Sequence, residues 1–307
     1  MEEPRMDIGL VGLGLMGTAM STRLLARGHA VYGFDLKNEA MAAHEARGGV
    51  ACGSGADVAA HSSVVLVSVP TGADARAACL GDGGIVDGAQ PGTLIIDTTT
   101  AMPTDGVALA DDLRDRSIRY ADGCICGSSN MVSGGEALGL VGGSKEDMAA
   151  GSAVMDAFCA RVLHVGDVGN GRRAKLVVNA ILVTNRLAFA EGLVFGEAMG
   201  MDSRLLLDVL RSSVAYSKAM DIWGDRMVER HYSEPVSQVW MQHKDVQLIV
   251  AEAHQHRAPM PAMAQVNTIL QAQMANGMQD ADNSSLIEVL RQMAGVTPTT
   301  SPQPRES

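Results

Sequence analysis

Gly12-Leu13-Gly14-Leu15-Met16-Gly17 follows the apolar run Ile8-Gly9-Leu10-Val11 and precedes a stretch of helical periodicity that ends near Gly28. In a strand–turn–helix of this kind the first glycine permits the tight turn, the second lets the backbone approach a pyrophosphate, and the third lets the helix pack close to the strand. The helix N-terminus then offers N–H groups and a positive dipole end to phosphate. A second run, Ala30-Val31-Tyr32-Gly33-Phe34-Asp35, reads as the next strand and ends in an acid. Asp35 lies roughly 20 residues beyond the glycines, where a carboxylate accepts hydrogen bonds from the adenosine ribose hydroxyls. Its charge would repel a 2′-phosphate, which favours NAD; Lys37 is close enough to leave NADP open.

Two further stretches could supply a substrate anchor and a proton carrier. Asp122-Gly123-Cys124-Ile125-Cys126-Gly127-Ser128 reads as a strand end followed by a loop of small residues, whose backbone N–H groups could cradle a carboxylate. An ordinary loop would have the same composition. In Gly169-Asn170-Gly171-Arg172-Arg173-Ala174-Lys175-Leu176-Val177-Val178-Asn179, Lys175 and Asn179 are four apart and share one helical face. A lysine in a partly buried cleft near a helix N-terminus is suited to proton transfer at neutral pH. By helix pattern alone a surface lysine is the more common reading. Cys124-x-Cys126 and His254-x-His256 lack a second ligand pair, so no metal is expected.

The elements that must position these residues alternate. Strands are predicted at 50–52, 64–69, 93–97, 118–122, 137–141 and 161–165, with helices at 38–47, from Ser54, at 71–80 and from Pro103. Ser54-x-x-Asp57 looks like a capping box. Such alternation implies a parallel sheet with right-handed crossovers. Its ligand would lie at the carboxyl ends of the strands, where Val69-Pro70 and Thr98-Thr99-Thr100 fall. After Gly166 the alternation stops. A long helix is predicted over 172–199, then helices at 203–212, 216–230, 240–256, 261–276 and 284–293. The expected architecture is an α/β Rossmann-type doubly wound sheet (1–168), an all-α substrate and dimerisation domain (169–295) joined by a long interdomain helix, and a disordered, proline-rich tail (296–307).

At 307 residues, 47% apolar and 19% charged, the chain has the composition of a globular protein with a substantial core. A net charge of −11 argues against nucleic-acid or anionic-membrane partners. No apolar run approaches the roughly 18 residues that span a bilayer. The acidic N-terminus lacks the features of a signal peptide, so a cytoplasmic location is expected. Five cysteines without framework spacing point to reduced thiols.

The glycine fingerprint with Leu15-Met16-Gly17, the segment from Asp97 to Pro103, the Asp122 loop and Gly169-x-Gly171-x-x-x-Lys175 occur in that order. Together they resemble the β-hydroxyacid dehydrogenase family, which includes 3-hydroxyisobutyrate dehydrogenases, tartronate semialdehyde reductases and relatives of 6-phosphogluconate dehydrogenase. The resemblance covers nearly all of the chain and implies hydride transfer between NAD(P) and a β-hydroxy acid or its semialdehyde. It implies that Gly12, Leu13, Gly14, Leu15, Met16, Gly17 and Asp35 bind the dinucleotide and that Val69, Pro70 and Thr100 line its nicotinamide half. Lys175 matches the catalytic general acid/base, Asn179 the asparagine one turn on, and Lys244 a second-domain lysine that closes over cofactor and substrate. Cys126, Gly127 and Ser128 match the substrate loop, which in the family usually reads Asp-Ala-Pro-Val-Ser-Gly-Gly. Cys126 replaces the usual serine and is a poorer hydrogen-bond donor. Glu136 stands for a small hydroxyl residue, and Val178 for the first of two asparagines. These departures suit a bulkier or less acidic substrate, and Glu136 suits a β-hydroxy amino acid.

Two other functions fit the same fingerprint. Imine reductases reduce C=N bonds, but usually carry aspartate or tyrosine where Lys175 stands. A non-catalytic dinucleotide sensor would not need Lys175, Asn179 and Lys244 together. The long 172–199 helix leads us to expect a homodimer or homotetramer.

Overall fold

A computed structural model describes residues 5–297. From residue 298 on, the expected tail lies outside the described residues, as do residues 1–4 of the expected leaderless N-terminus. The chain divides into two compact units, Met1–Leu176 and Val177–Ser307.

The first unit alternates as β1 (Asp7–Val11), α1 (Leu15–Ala26), β2 (Ala30–Phe34), α2 (Asn38–Ala46), β3 (Val50–Ala51), α3 (Gly55–Ala60) and β4 (Val64–Val67). It continues with α4 (Gly72–Leu80), α5 (Ile85–Gly88), β5 (Leu94–Asp97), α6 (Pro103–Arg114), β6 (Arg119–Cys126), α7 (Ser129–Gly134), β7 (Ala137–Gly142), α8 (Lys145–Met155) and β8 (Cys159–His164). The strands form one eight-stranded sheet in the order β3-β2-β1-β4-β5-β6-β7-β8. The order reverses between β1 and β4, which opens a crevice beyond their carboxyl ends.

Both sheet faces are covered, as runs such as Val64-Val65-Leu66-Val67 require. Leu10, Leu66 and Ile96 pack with Met20, Leu24, Met155 and Phe158 on one face. Val65, Val67 and Ile95 pack with Val58, Ile85, Leu109 and Leu113 on the other. Burying each such side chain contributes about 1.5–3 kcal/mol.

Two features differ from the expected all-parallel arrangement. β7 runs antiparallel to β6, because only the short α7 connects them. β6 also continues to Cys126, so the anticipated loop is strand as far as that residue, with Asp122, Cys124 and Cys126 registered against Gly142, Leu140 and Leu138. The capping geometry of α3 differs as well. Ser54 accepts the Asp57 N–H, but the Asp57 carboxylate takes the N–H of Gly53 (2.9 Å) instead of that of Ser54. Reciprocal boxes occur at Thr71/Asp74 and Ser144/Asp147.

α9 (Asn170–Ala198) contains the division between the units. An 18-residue window within it reaches a mean hydropathy of 1.4, enough by composition to cross a membrane, contrary to the sequence reading. Half of that window is buried inside the protein, and Asn179 and Arg186 on the same helix are buried polar residues, as suits a core helix. The second unit adds α10 (Ser203–Ser212), α11 (Lys218–Glu229), α12 (Val239–Gln255), α13 (Pro261–Ala275) and α14 (Leu286–Ala294). Its core gathers Leu193, Leu207, Trp223, Met227, Ile249, Leu270 and Ile287. A buried ion pair ties its ends, with Arg291 donating to Glu197 at 2.6 Å.

Candidate active site

The crevice at the carboxyl ends of β1 and β4 is shaped by glycine. Gly12 has φ +97°, and a Cβ there would stand 2.1 Å from the Ser68 carbonyl oxygen. A Cβ on Gly17 would stand 1.9 Å from the Gly12 carbonyl oxygen. The turn and the first coil of α1 are therefore packed backbone on backbone. Gly14 differs, since a Cβ there meets nothing within 4 Å. It is also the N-cap of α1, no side chain caps that end, and no acid occupies the first turn. The N-terminus of α1 thus keeps an open, electropositive approach for a pyrophosphate. Beside it Leu15 is half-exposed, Met16 partly buried, and Leu13 buried.

Asp35, just past β2, accepts the N–H of Leu13 at 2.7 Å on one carboxylate oxygen and that of Lys37 at 2.9 Å on the other. It therefore locks the glycine turn to the end of β2 while retaining lone pairs for ribose hydroxyls. Val69 and Pro70 follow β4, and Thr98 to Thr100 follow β5. The Thr99 hydroxyl lies 3.4 Å from the Val69 N–H, and the Thr98 N–H and hydroxyl both donate to the Val67 carbonyl at 2.8 Å. An uncapped helix end, an acid just past β2 and short side chains beyond β4 and β5 are features a dinucleotide requires, and these residues fit one.

Lys175 is fixed at the end of β6. Its Nζ donates to the Ile125 carbonyl at 2.6 Å. The first turn of α9 is held to the same strand by Asp122, whose carboxylate accepts the N–H of Gly169 at 2.6 Å and that of Arg172 at 2.9 Å. Gly171 is required there, because a Cβ would meet Asp122 Oδ2 at 2.4 Å. Burial pushes the Asp122 carboxyl up from its ordinary value, and the two N–H donors oppose the shift. Cys126 is partly buried next in the strand; burial raises its thiol and the Lys175 charge opposes that rise. With β6 extended, Gly127 and Ser128 are what remains of the loop, and the Ser128 hydroxyl accepts the Met131 N–H at 3.3 Å. Glu136 is exposed at the start of β7.

Beneath Lys175 lies a network that sequence reasoning did not find. The Arg172 guanidinium, 1% exposed, donates to Asp97 at 2.5 Å, to the Tyr120 hydroxyl at 3.0 Å and to the Met102 carbonyl at 3.1 Å. Tyr120 donates in turn to Asp97 at 3.0 Å, and burial together with the Asp97 charge holds its phenol protonated.

In the helical unit Asn179 is buried and donates to Asp245 at 3.0 Å. The Lys244 ammonium lies 3.2 Å from the other oxygen of Asp245. One carboxylate thus holds both predicted residues. Its only sequence signal was adjacency to Lys244.

Residues 7–166 match the family described as the NAD binding domain of 6-phosphogluconate dehydrogenase, and residues 169–290 match the NAD-binding family of NADP-dependent 3-hydroxyisobutyrate dehydrogenase. The chain is 30% identical to 2-(hydroxymethyl)glutarate dehydrogenase of Eubacterium barkeri, over 96% of this chain and 98% of that one. Among solved structures it resembles 3-hydroxyisobutyrate dehydrogenase of Mycobacterium tuberculosis with L-serine, at 25% identity and a TM-score of 0.82, covering 94% of this chain and 100% of that one. The fold is shared also with 3-hydroxyisobutyrate dehydrogenase of Salmonella typhimurium, at 23% identity and a TM-score of 0.85, covering 92% and 99% of the two chains.

Proposed function

The chain belongs to the β-hydroxyacid dehydrogenase family and is an NAD(P)-dependent oxidoreductase, and from that premise we propose that its substrate is a carboxylate bearing a primary hydroxymethyl group on the adjacent carbon. 2-(Hydroxymethyl)glutarate, 3-hydroxyisobutyrate and L-serine, which occur in the names of its relatives, share the unit HOCH2–CHX–COO⁻. The product of oxidation would be the corresponding semialdehyde. Bound NAD(P) supplies the hydride acceptor for oxidation and the hydride donor for reduction.

Lys175 is the general acid/base. The observation that carries the assignment is the 2.6 Å hydrogen bond from its Nζ to the Ile125 carbonyl. That carbonyl accepts one N–H and fixes the direction of the amine, so the neutral amine's lone pair can take the hydroxyl proton. In reduction the ammonium returns a proton to the forming alkoxide, and the carbonyl can hold Nζ in either state. Cys126, Gly127 and Ser128 bind the carboxylate end, and Asn179 hydrogen-bonds the substrate.

Gly12, Leu13, Gly14, Leu15, Met16 and Gly17 hold the pyrophosphate, Asp35 the ribose, and Val69, Pro70 and Thr100 the nicotinamide half. Lys244 completes the cofactor set, supported by its fixing through Asp245. The Asp35 carboxylate favours NAD over NADP. The proposed division is a dinucleotide-binding domain over 1–168 and a substrate and dimerisation domain over 169–295. Exposed Val177, Ile181 and Phe195 recur along one face of α9, which supports a homodimer built on that helix. A cytoplasmic location accords with the five free thiols.

The test follows nicotinamide absorbance with NAD and NADP across β-hydroxy acids, β-hydroxy amino acids, semialdehydes and cyclic imines, each beside Lys175→Ala. Turnover of a hydroxymethyl carboxylate that falls by about 10²-fold or more in the variant is expected. Imine turnover that survives the loss of Lys175 would overturn the assignment.

A further inference from the structure

At the β3 edge of the sheet, three side chains of different chemistry converge. Cys52 follows β3, Asp57 lies in the first turn of α3 and His61 is its C-cap. One donor atom from each lies within 4.8 Å of the other two. Cys52 is 5% exposed and forms the floor, while the Asp57 and His61 side chains are about half-exposed and form two walls that leave the solvent side open. Each of the two wall residues is held from behind. The His61 Nδ1–H donates to the Asp57 carbonyl at 2.9 Å, and the same nitrogen lies 3.6 Å from the Asp57 carboxylate. The same ring stacks on Tyr32 at 4.8 Å between centroids and 12° between planes. The Asp57 carboxylate is oriented by the Gly53 N–H at 2.9 Å, and Cys52 is anchored through its own N–H to the Gly33 carbonyl at 2.9 Å.

We propose that Cys52, Asp57 and His61 form a transition-metal site of the zinc class, with water completing the coordination. Thiolate, imidazole and carboxylate together select zinc or cadmium over magnesium or calcium, which take oxygen donors. Tetrahedral ligands at zinc stand roughly 3.3–3.8 Å apart, given the usual bond lengths. A spread of 4.8 Å closes to that distance by rotation of the two half-exposed side chains, with the His61 ring exchanging its contact with the Asp57 carbonyl for the metal. As the metal–sulfur bond forms, the thiol proton leaves to solvent. The test of this site does not depend on turnover.

The full-length, reduced, chelator-treated protein would be titrated with Cd²⁺ and the ultraviolet cadmium–thiolate charge-transfer band recorded. The band should saturate at one ion per chain, be displaced by Zn²⁺, and vanish in Cys52→Ala. His61→Gln, a surface change that spares the fold, should weaken binding by about tenfold or more. A band that persists in Cys52→Ala would belong to another of the five cysteines and overturn the proposal. Unchanged affinity in His61→Gln, or no band in the wild type, would overturn it equally.

Discussion

Replacing Arg172 with methionine should destabilise the sheet unit more than any exposed charge removal. The guanidinium and the Asp97 carboxylate are 1% and 0% exposed, and their hydrogen bond is 2.5 Å. Methionine fills much of the same volume but supplies no donor. Asp97 would keep only the Thr99 N–H at 2.9 Å and the Tyr120 hydroxyl at 3.0 Å, with its charge uncompensated in the core. Removing one partner of a buried pair costs about 3–5 kcal/mol. For a unit of this size each kcal/mol lowers the melting temperature by about 2–4 °C, so a fall of about 6–20 °C is expected. Asp97→Asn/Arg172→Met removes both charges and should recover a large part of the loss, because a buried pair is worth little against neutral groups of similar size. Calorimetric melts of the two single variants, the double variant and the parent close the cycle. The reasoning fails if Arg172→Met stays within about 1 kcal/mol of the parent, or if the double variant is as unstable as the sum of the singles. The same loss should loosen the first turn of α9 and lower kcat, since Lys175 lies on the turn that follows it.

Asp35→Ala should lower the NAD-to-NADP ratio of kcat/KM by about tenfold or more, equivalent to 1.4 kcal/mol, as the charge facing a 2′-phosphate is removed; steady-state kinetics with both cofactors read this directly, and an unchanged ratio would place the discriminating group elsewhere. Cys126→Ser restores a stronger donor at the carboxylate end, so KM for a hydroxy acid should fall roughly 2- to 10-fold, the equivalent of one hydrogen bond, with kcat little changed. A KM that does not move would detach Cys126 from substrate binding. Burial alone would raise the Glu288 carboxyl, but the Tyr232 hydroxyl at 2.7 Å and the Arg291 and Arg230 guanidiniums outweigh it and hold it below its ordinary value. Such a group stabilises the folded state above its unfolded value and loses that contribution as pH falls through the lowered folded value. Glu288→Gln should therefore be less stable than the parent at neutral pH, with the difference closing in acid; urea unfolding across pH measures it, and a gap constant with pH would contradict the linkage.

How far the sequence could be read depended on how near the deciding neighbour lay. The strand–turn–helix around Gly12 was legible because turn, periodicity and the acid at Asp35 are all local signals that agree. The predicted helix 203–212 coincides with α10 for the same reason: Asp202 caps it by accepting the Leu205 N–H, a signal that is local in the chain. The run Asp122-Gly123-Cys124-Ile125-Cys126 looks like a loop by composition, and it becomes strand through its pairing with β7, whose return direction no local pattern encodes. Arg172 and Arg173 are adjacent and identical in type, yet one is buried and the other exposed. What separates them is Asp97, 75 residues earlier in the chain. A buried charge is tolerated only where a partner has been brought to it by the fold, so its identity as a core residue is a property of the assembled sheet. Lys175 stands between these cases. Its helical position could be counted from Gly169 and Gly171, whereas the carbonyl that aims it belongs to Ile125, 50 residues earlier in the chain, in the part of β6 that composition reads as a loop. Lys175 could thus be singled out as the proposed general acid/base from the family resemblance of the sequence, and the direction of its amine only from the sheet.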